Sequence, residues 1–236
     1  MLKRMKKIKK ENPYYARFND ILKIFKKYNA VISLGPTYRP GSICDNSMAI
    51  GDAYWIEMQR MSVLVKKAVA YEVPIIVEGI GHASLDNIPQ YICKSKELCL
   101  GVPYRVLTVS TDIALGYDNI SSAIASAVSV LNGANIVTAV TSAEHIALPT
   151  KEQVEEAVIS AKIAAHSADL CKNNSIDRDM QISLSKTRIK NCQGSIDMSI
   201  YPQGAKKALL ANKSHAQGCS MCGIFCALTK DGINDT

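Results

Sequence analysis

Three cysteines fall within eight residues near the C-terminal end of the chain. Cys219, Cys222 and Cys226 follow His215 in the segment HAQGCSMCGIFC. Three thiolates can hold a [4Fe–4S] cluster that leaves one iron open to a substrate or cofactor. His215 would complete a Cys3His set of the kind that binds structural zinc, so the spacing alone leaves both metals open. Incidental surface thiols are the third interpretation.

Two histidines elsewhere in the chain come just after predicted strands. His82 closes the segment EGIGH, in which Glu78 ends a strand and two glycines allow the backbone to approach a ligand closely. His145 lies in SAEHIALP, after the last strand. If the strands are neighbours, the two imidazoles can share a metal ion, with water or substrate as further ligands. The alternative is a structural role, which is also the interpretation of His166 inside its helical pattern.

Two further polar positions follow predicted strands. Arg39, in RPGS, has a guanidinium group that suits a phosphate or carboxylate, although a surface arginine before a Pro-Gly turn fits equally well. The segment TDIALGYD follows the third strand, and Asp118 at its end is predicted to cap a helix.

These residues need a scaffold, and four short apolar runs predict its strands. They are AVISLG, ending at Gly35, and the segments VPIIVEG (73–79), YRVLTVS (104–110) and NIVTAVT (135–141). Helical patterns over 51–72, 120–131 and 151–172 separate or follow them, and another covers 177–190. This alternation predicts parallel strands with right-handed crossovers. The polar residues then lie at the carboxyl ends of the strands, where barrels and open α/β sheets build active sites.

Composition narrows the class of protein. Six of the seven net positive charges come from Lys and Arg within residues 3–10, so the rest of the 236-residue chain is nearly neutral and a nucleic-acid partner is not expected. No run of about 18 apolar residues predicts a membrane span, and no secretory signal is evident. We predict a cytoplasmic protein with a basic tail (1–10), a βα domain (11–175) and a helical extension (176–236) that ends in the cysteine arm.

Several segments together resemble the phosphomethylpyrimidine synthase family of thiamin biosynthesis, a group of non-standard radical S-adenosylmethionine enzymes. In the family's order, from about residue 11 to 226, they are ENPYYARFNDIL, SLGPTYRPGSICD, VEGIGH, TDIALGYDNISSAI, VTSAEHIALP, KIAAHSADL and CSMCGIFC. The resemblance implies an α/β fold of the TIM-barrel type. This chain would supply the carboxyl-terminal half, about four βα units, followed by a helical, cysteine-bearing arm.

The resemblance also implies an activity and its site residues. Family members rearrange aminoimidazole ribotide into hydroxymethylpyrimidine phosphate, a lyase-type reaction begun by the adenosyl radical from reductive cleavage of S-adenosylmethionine. The family is dimeric, which implies a homo-oligomer. The matching positions are Cys219, Cys222 and Cys226 for the [4Fe–4S] cluster, His82 and His145 for zinc, and Arg39, Glu78 and Tyr104 for the substrate.

Three departures from the family keep other functions open. The family has four residues between its last two cysteines and this chain has three, which shortens the extended reach by roughly 3.5 Å. Pro36-Thr37-Tyr38-Arg39 stands where the family has Asp-Gly-Leu-Arg. Family members are also about twice as long, so a second copy or a separate chain would have to complete the barrel, unless the sheet stays open under helices. The alternative functions are a non-catalytic or regulatory metal-binding paralogue and one subunit of a split synthase.

Overall fold

The computed structural model describes residues 2–47, 49–172, 175–190, 192–211 and 221. The chain divides into two compact units, residues 1–165 and 166–236. The elements of the first unit are α1 (Leu2–Ile8), α2 (Pro13–Ala16), α3 (Phe18–Lys27), β1 (Ile32–Leu34), α4 (Ala49–Ala70), β2 (Ile75–Glu78), α5 (Ile88–Leu98), β3 (Tyr104–Val106), α6 (Asp118–Leu131) and β4 (Ile136–Val137), with a 3-10 helix at Ile43–Ser47. The boundary between the units falls inside α7 (Lys151–Asp169).

The four strands form one parallel sheet in the order β1-β2-β3-β4. Ile32 pairs with Ile75, and Val77 pairs with Tyr104. Since each strand lies beside the next one in sequence, right-handed crossovers put all the connecting helices on one face of the sheet. The α/β class with four parallel strands is therefore confirmed.

The two faces of the sheet differ in burial, which follows from the alternation of side chains along a strand. Ile75, Val77 and Tyr104 point into the core, whereas Glu78 and Arg105 on the opposite face are only half-buried. The core continues into one stripe of α4 and α5, with Tyr54, Met58, Val65 and Ile92 fully buried. The apolar layer between sheet and helices thus fixes which strand residues face the open side.

The second unit contains α8 (Ser175–Lys190), α9 (Cys192–Asp197) and α10 (Pro202–Ala211), after a 3-10 turn at Leu170–Lys172. Helix α9 packs against both α8 and α10. Cys219, Cys222, Cys226 and His215 lie outside the described residues. The cysteine arm therefore stays a prediction, as does the three-part division at residues 10 and 175.

The segments predicted as strands and helices contain strands and helices in the structure, but the elements begin and end at different residues. All four apolar runs contain a strand, but β4 has only two residues, Ile136 and Val137. The basic segment predicted as a tail forms the short helix α1. None of the helices that the structure describes has the length and apolarity to cross a lipid bilayer.

Candidate functional site

The loops after β1 and β2 lie against each other at the carboxyl edge of the sheet. The amide of His82 donates a 3.0 Å hydrogen bond to the carbonyl oxygen of Pro40. Gly81 makes this approach feasible, because a Cβ at this position would collide with the Pro40 oxygen and the Arg39 side chain. His82 also forms an isolated parallel bridge with Val109, beyond β3. Backbone contacts therefore position Arg39 and His82 together.

The first group of functional side chains, here named the Glu78 cluster, consists of Glu78, Arg39, Arg105 and Ser33. Arg39 Nη2 donates to Glu78 Oε2 at 2.7 Å, and the other oxygen, Oε1, accepts from Ser33 Oγ at 2.8 Å. Arg105 Nη1 lies 3.3 Å from Oε1. Burial acts to raise the pKa of Glu78, but the bonds from Arg39 and Ser33 and the charge of Arg105 outweigh it, so the pKa lies below its ordinary value.

Arg105 extends the Glu78 cluster toward the last strand. Its Nε donates to Thr138 Oγ1 at 3.1 Å, so polar contacts link residues of all four strand segments, from Ser33 to Thr138. Two guanidinium groups face one carboxylate, which leaves the cluster with an excess of positive charge. Arg105 is not among the residues predicted from the sequence, although its place between Tyr104 and Val106 puts it on the face opposite the core.

Tyr104 does not join the Glu78 cluster. Its side chain is 0% exposed, and its hydroxyl lies 3.2 Å from Tyr54 Oη and 3.2 Å from Ser95 Oγ within the core. The same hydroxyl accepts a hydrogen bond from the amide of Ile80. Burial raises the pKa of Tyr104 above its ordinary value, so the phenol stays protonated. Substrate contact by Tyr104 stays a prediction; the observed contacts support the backbone of the EGIGH loop.

The second group, here named the histidine pair, consists of His82 and His145. Their Nε2 atoms are 3.1 Å apart, and the ring planes are inclined at 68°. His145 has a φ of +64°, a left-handed conformation that is uncommon for residues other than glycine, although histidine adopts it more often than most. The structure thus brings together the two histidines that the sequence placed 63 residues apart.

A carboxylate contacts the outer nitrogen of each imidazole. Asp112 Oδ1 lies 2.7 Å from His82 Nδ1, and Asp118 Oδ1 lies 3.4 Å from His145 Nδ1. Burial acts to raise the pKa of Asp112, but the hydrogen bonds from His82 and the amide of Ile43 lower it below its ordinary value. From the sequence, Asp118 is predicted to cap a helix, and Asp112 is a polar residue that follows the third strand, with no predicted contact to a histidine.

The donor set of the histidine pair fits a metal ion that has further ligands from outside the chain. Two nitrogens bound to one tetrahedral zinc at 2.0–2.1 Å are separated by roughly 3.3 Å, close to the observed 3.1 Å. A hydrogen-bonded carboxylate on the outer nitrogen, such as Asp112 beside His82, is typical of metal-binding histidines. Among the described residues, no group of three or more His, Cys, Asp and Glu side chains is arranged to hold a metal ion.

The cavity beside the histidine pair is small. It measures about 180 Å³ and is lined by both rings, Arg39 and Glu144 among others. Ligand pockets usually enclose roughly 300–1,000 Å³. A larger cavity of about 860 Å³ lies among α1, α2 and α3, but its lining contains none of the strand-end residues. The polar chemistry therefore favours the smaller cavity as the functional one.

The chain is similar to known proteins over nearly its whole length. The model of the Radical SAM ThiC family matches residues 1–231. The chain is similar to the phosphomethylpyrimidine synthase of Thermoanaerobacter sp. (strain X514), with 42% identity over 222 residues, 93% of this chain and 51% of the relative. It is 41% identical to that of Archaeoglobus fulgidus over 225 residues, 93% of this chain and 52% of the relative.

The phosphomethylpyrimidine synthase of Carboxydothermus hydrogenoformans is 40% identical over 228 residues, 95% of this chain and 52% of the relative. The chain thus spans about half the length of the curated relatives that it matches. Since the family model matches residues 1–231 and these relatives are 40–42% identical over 93–95% of this chain, the chain belongs to the Radical SAM ThiC family.

Proposed function

We propose that this chain acts as a phosphomethylpyrimidine synthase-like radical S-adenosylmethionine enzyme, which converts aminoimidazole ribotide into hydroxymethylpyrimidine phosphate in a lyase-type step of thiamin biosynthesis. The observation that carries the proposal is the meeting of His82 Nε2 and His145 Nε2 at 3.1 Å in a chain of this family. The carboxylate behind His82 is a further feature typical of metal-binding histidines.

Cys219, Cys222 and Cys226 are proposed to hold the [4Fe–4S] cluster. When bound, such a cluster supplies the electron that cleaves S-adenosylmethionine reductively. The three thiolates fit a cluster that keeps one iron open to the cofactor. The last two cysteines are one residue closer in sequence than in the family, so the cluster could be lost. The iron content of the purified protein tests this assignment directly.

His82 and His145 are proposed to hold zinc or another divalent cation. When bound, this ion supplies positive charge close to the substrate and cofactor. The surrounding charges favour a cation, because Asp112, Asp118 and Glu144 lie in contact with the rings or in the shared cavity. The two imidazoles would orient the ion toward the cavity that also contains Arg39.

The Glu78 cluster is proposed to bind the nucleotide substrate. The ionised Glu78 can accept hydrogen bonds from hydroxyl groups, and Arg39 can pair with an anionic group. Arg39 Nε is buried without a hydrogen-bond partner within the described residues, so it has a donor to offer. Arg105 adds a second guanidinium on the same face of the sheet.

A partner is proposed to complete the site, either a second copy of this chain or a chain that supplies the other barrel half. In the described residues, β1 pairs only with β2, and β4 pairs only with β3, so both sheet edges are open. Ile136 on β4 is 37% exposed, and Ile120 and Ile124 on α6 are also exposed. Open parallel edges and apolar faces of this kind are normally covered by protein.

A non-catalytic, metal-binding paralogue is the second candidate. The segment after β1 favours it, because Pro36 stands where the family has an aspartate. Two residues later, the amide of Tyr38 donates a 2.8 Å hydrogen bond to Glu57 Oε2, so this segment contacts helix α4. In this case the histidine pair and the cysteines would bind metal without turning over substrate.

Anaerobic purification, followed by reconstitution with iron and sulfide, separates the two candidates. The reconstituted protein is incubated with S-adenosylmethionine, a reductant and aminoimidazole ribotide, alone and with any co-purifying chain. We expect 5′-deoxyadenosine and hydroxymethylpyrimidine phosphate. The matched control carries Cys222→Ser and should form neither product. Iron and acid-labile sulfide without cleavage of S-adenosylmethionine would favour the paralogue instead.

A further inference from the structure

We propose that Asp112 and Asp118 are positioning residues, which hold the outer nitrogens of His82 and His145 so that both inner nitrogens turn toward one shared divalent cation. This inference rests on the proposed metal at the histidine pair and assigns roles to two carboxylates outside it. Each carboxylate contacts a different ring, at 2.7 Å for Asp112 and 3.4 Å for Asp118.

A carboxylate beside Nδ1 favours one tautomer of an imidazole ring. A neutral imidazole that donates from Nδ1 to a carboxylate carries its lone pair on Nε2. If both rings have this tautomer, two lone pairs face each other across 3.1 Å. Such an arrangement is repulsive unless a proton or a metal ion lies between the nitrogens. The carboxylates therefore prepare the pair to receive a cation.

Asp118 is almost completely buried beside His145. The residue is 1% exposed, yet its Oδ2 has no hydrogen-bond partner within the described residues. A buried carboxylate with an unsatisfied oxygen is costly unless positive charge lies nearby. A cation on His145 would place positive charge close to Asp118, whose Oδ1 lies 3.4 Å from the ring, and offset part of that cost.

Helix capping does not account for Asp118. The N-cap of α6 is Tyr117, and no side chain caps this helix by a hydrogen bond. Asp118 is the first residue of the helix, where an acidic group is favourable at the surface through the helix dipole. Its near-complete burial beside His145 calls for another explanation, which the contact with Nδ1 supplies.

Asp112 contacts both His82 and a backbone amide in the segment after β1. Its side chain is 38% exposed, and Oδ2 accepts a 2.8 Å hydrogen bond from the amide of Ile43, in the segment after Arg39. Asp112 therefore connects the histidine pair to the loop that carries Arg39. Because solvent can replace part of the lost contact, removing this carboxylate should weaken metal binding less than removing Asp118.

The test measures Co²⁺ and Zn²⁺ binding to the full chain with Asp118→Asn or Asp112→Asn. Cys219, Cys222 and Cys226 are replaced by Ser in every sample so that their thiolates do not bind the ions. Carboxylates behind metal-bound histidines contribute about 10–100-fold to metal affinity. We expect a loss in that range for Asp118→Asn and a loss of about tenfold or less for Asp112→Asn, each with a shifted visible spectrum of bound Co²⁺.

Asp177→Asn is the matched control. Asp177 Oδ1 lies 3.1 Å from His166 Nδ1 in the second unit, so this variant removes a similar carboxylate–imidazole contact elsewhere. It should leave the Co²⁺ affinity and spectrum unchanged. If Asp118→Asn does not fold, the half-exposed Asp112→Asn still decides the matter through its spectrum.

The outcomes separate this inference from the proposed function. Unchanged affinity and spectrum in both aspartate variants, with a parent chain that binds Co²⁺, would overturn the positioning role alone. A parent chain that binds neither ion would overturn the metal assignment as well. A loss of affinity equal to that of Asp177→Asn would mean that the effect is not specific to the site.

Discussion

The Glu78 cluster and the histidine pair lie at the same edge of the sheet, but their charged and polar groups are arranged in opposite ways. In the Glu78 cluster a carboxylate lies at the centre and cations surround it. In the histidine pair the carboxylates lie outside and the nitrogen atoms face inward. The first group therefore has an excess of positive charge, whereas the second presents two ring nitrogens to a space that we propose a cation occupies.

The two groups therefore suit different ligands. The positive excess of the Glu78 cluster suits an anionic ligand, and the acidic surroundings of the histidine pair suit a metal ion. The two groups are joined through the loops after β1 and β2, where Gly81 packs against Pro40. Variants in the joining loop should disturb both groups, and variants inside one group should disturb that group alone.

Gly81→Ala should have the largest effect on folding. The new Cβ would collide with the carbonyl oxygen of Pro40 and the Arg39 side chain, so the two loops must separate. Overpacking of this kind costs about 1–3 kcal/mol. We expect a lower free energy of unfolding in urea and weaker Co²⁺ binding by the histidine pair.

Gly41→Ala is the control for that variant, because its Cβ would meet only Asp45 Oδ2, at an ordinary contact distance of 3.8 Å. Its stability should stay within about 0.5 kcal/mol of the parent. Equal stability of the Gly81 and Gly41 variants would show that the close approach of the loops is unimportant.

Glu78→Gln should destabilise the protein by a smaller amount, about 1–2 kcal/mol at pH 7, because two guanidinium groups lose their charged acceptor. The effect should depend on pH. The pKa of Glu78 is lowered from its ordinary 4.5 in the folded state. Its stabilising contribution is therefore fully present above about pH 4.5 and is lost as the pH falls through the folded-state pKa.

Urea unfolding of the parent and Glu78→Gln proteins at several pH values between 3 and 7 measures this contribution. The difference in unfolding free energy should shrink as the pH falls, while Co²⁺ affinity at pH 7 should stay the same in both proteins. A constant difference across the pH range would mean that the charge of Glu78 does not stabilise the fold.

Much of the scaffold could be predicted from the sequence because it depends on apolar periodicity. The runs VPIIVEG and YRVLTVS each contain a strand, and His82 and His145 meet because parallel strands share one carboxyl edge. The contacts of carboxylates with the outer nitrogens of the two rings could not be predicted from the sequence. Asp112 reaches His82 from the segment after β3, and Asp118 reaches His145 from the first turn of α6; no spacing rule specifies either contact.

Strand alternation was the signal that could have improved the site prediction. Tyr104, Arg105 and Val106 are consecutive, so Arg105 must lie on the face opposite its two neighbours. Since Val106 belongs to an apolar core strand, the alternation predicts that Tyr104 is buried and that Arg105 faces the site. The structure has this arrangement.

The central claim is that His82 and His145 bind one metal ion together. X-ray absorption of the Zn²⁺-loaded full chain, with Cys219, Cys222 and Cys226 replaced by Ser, tests it most directly. We predict one ion per chain with two imidazole nitrogens at about 2.0–2.1 Å, and loss of that signal in His145→Gln. A zinc spectrum without imidazole ligands, or one unchanged by His145→Gln, would contradict the account.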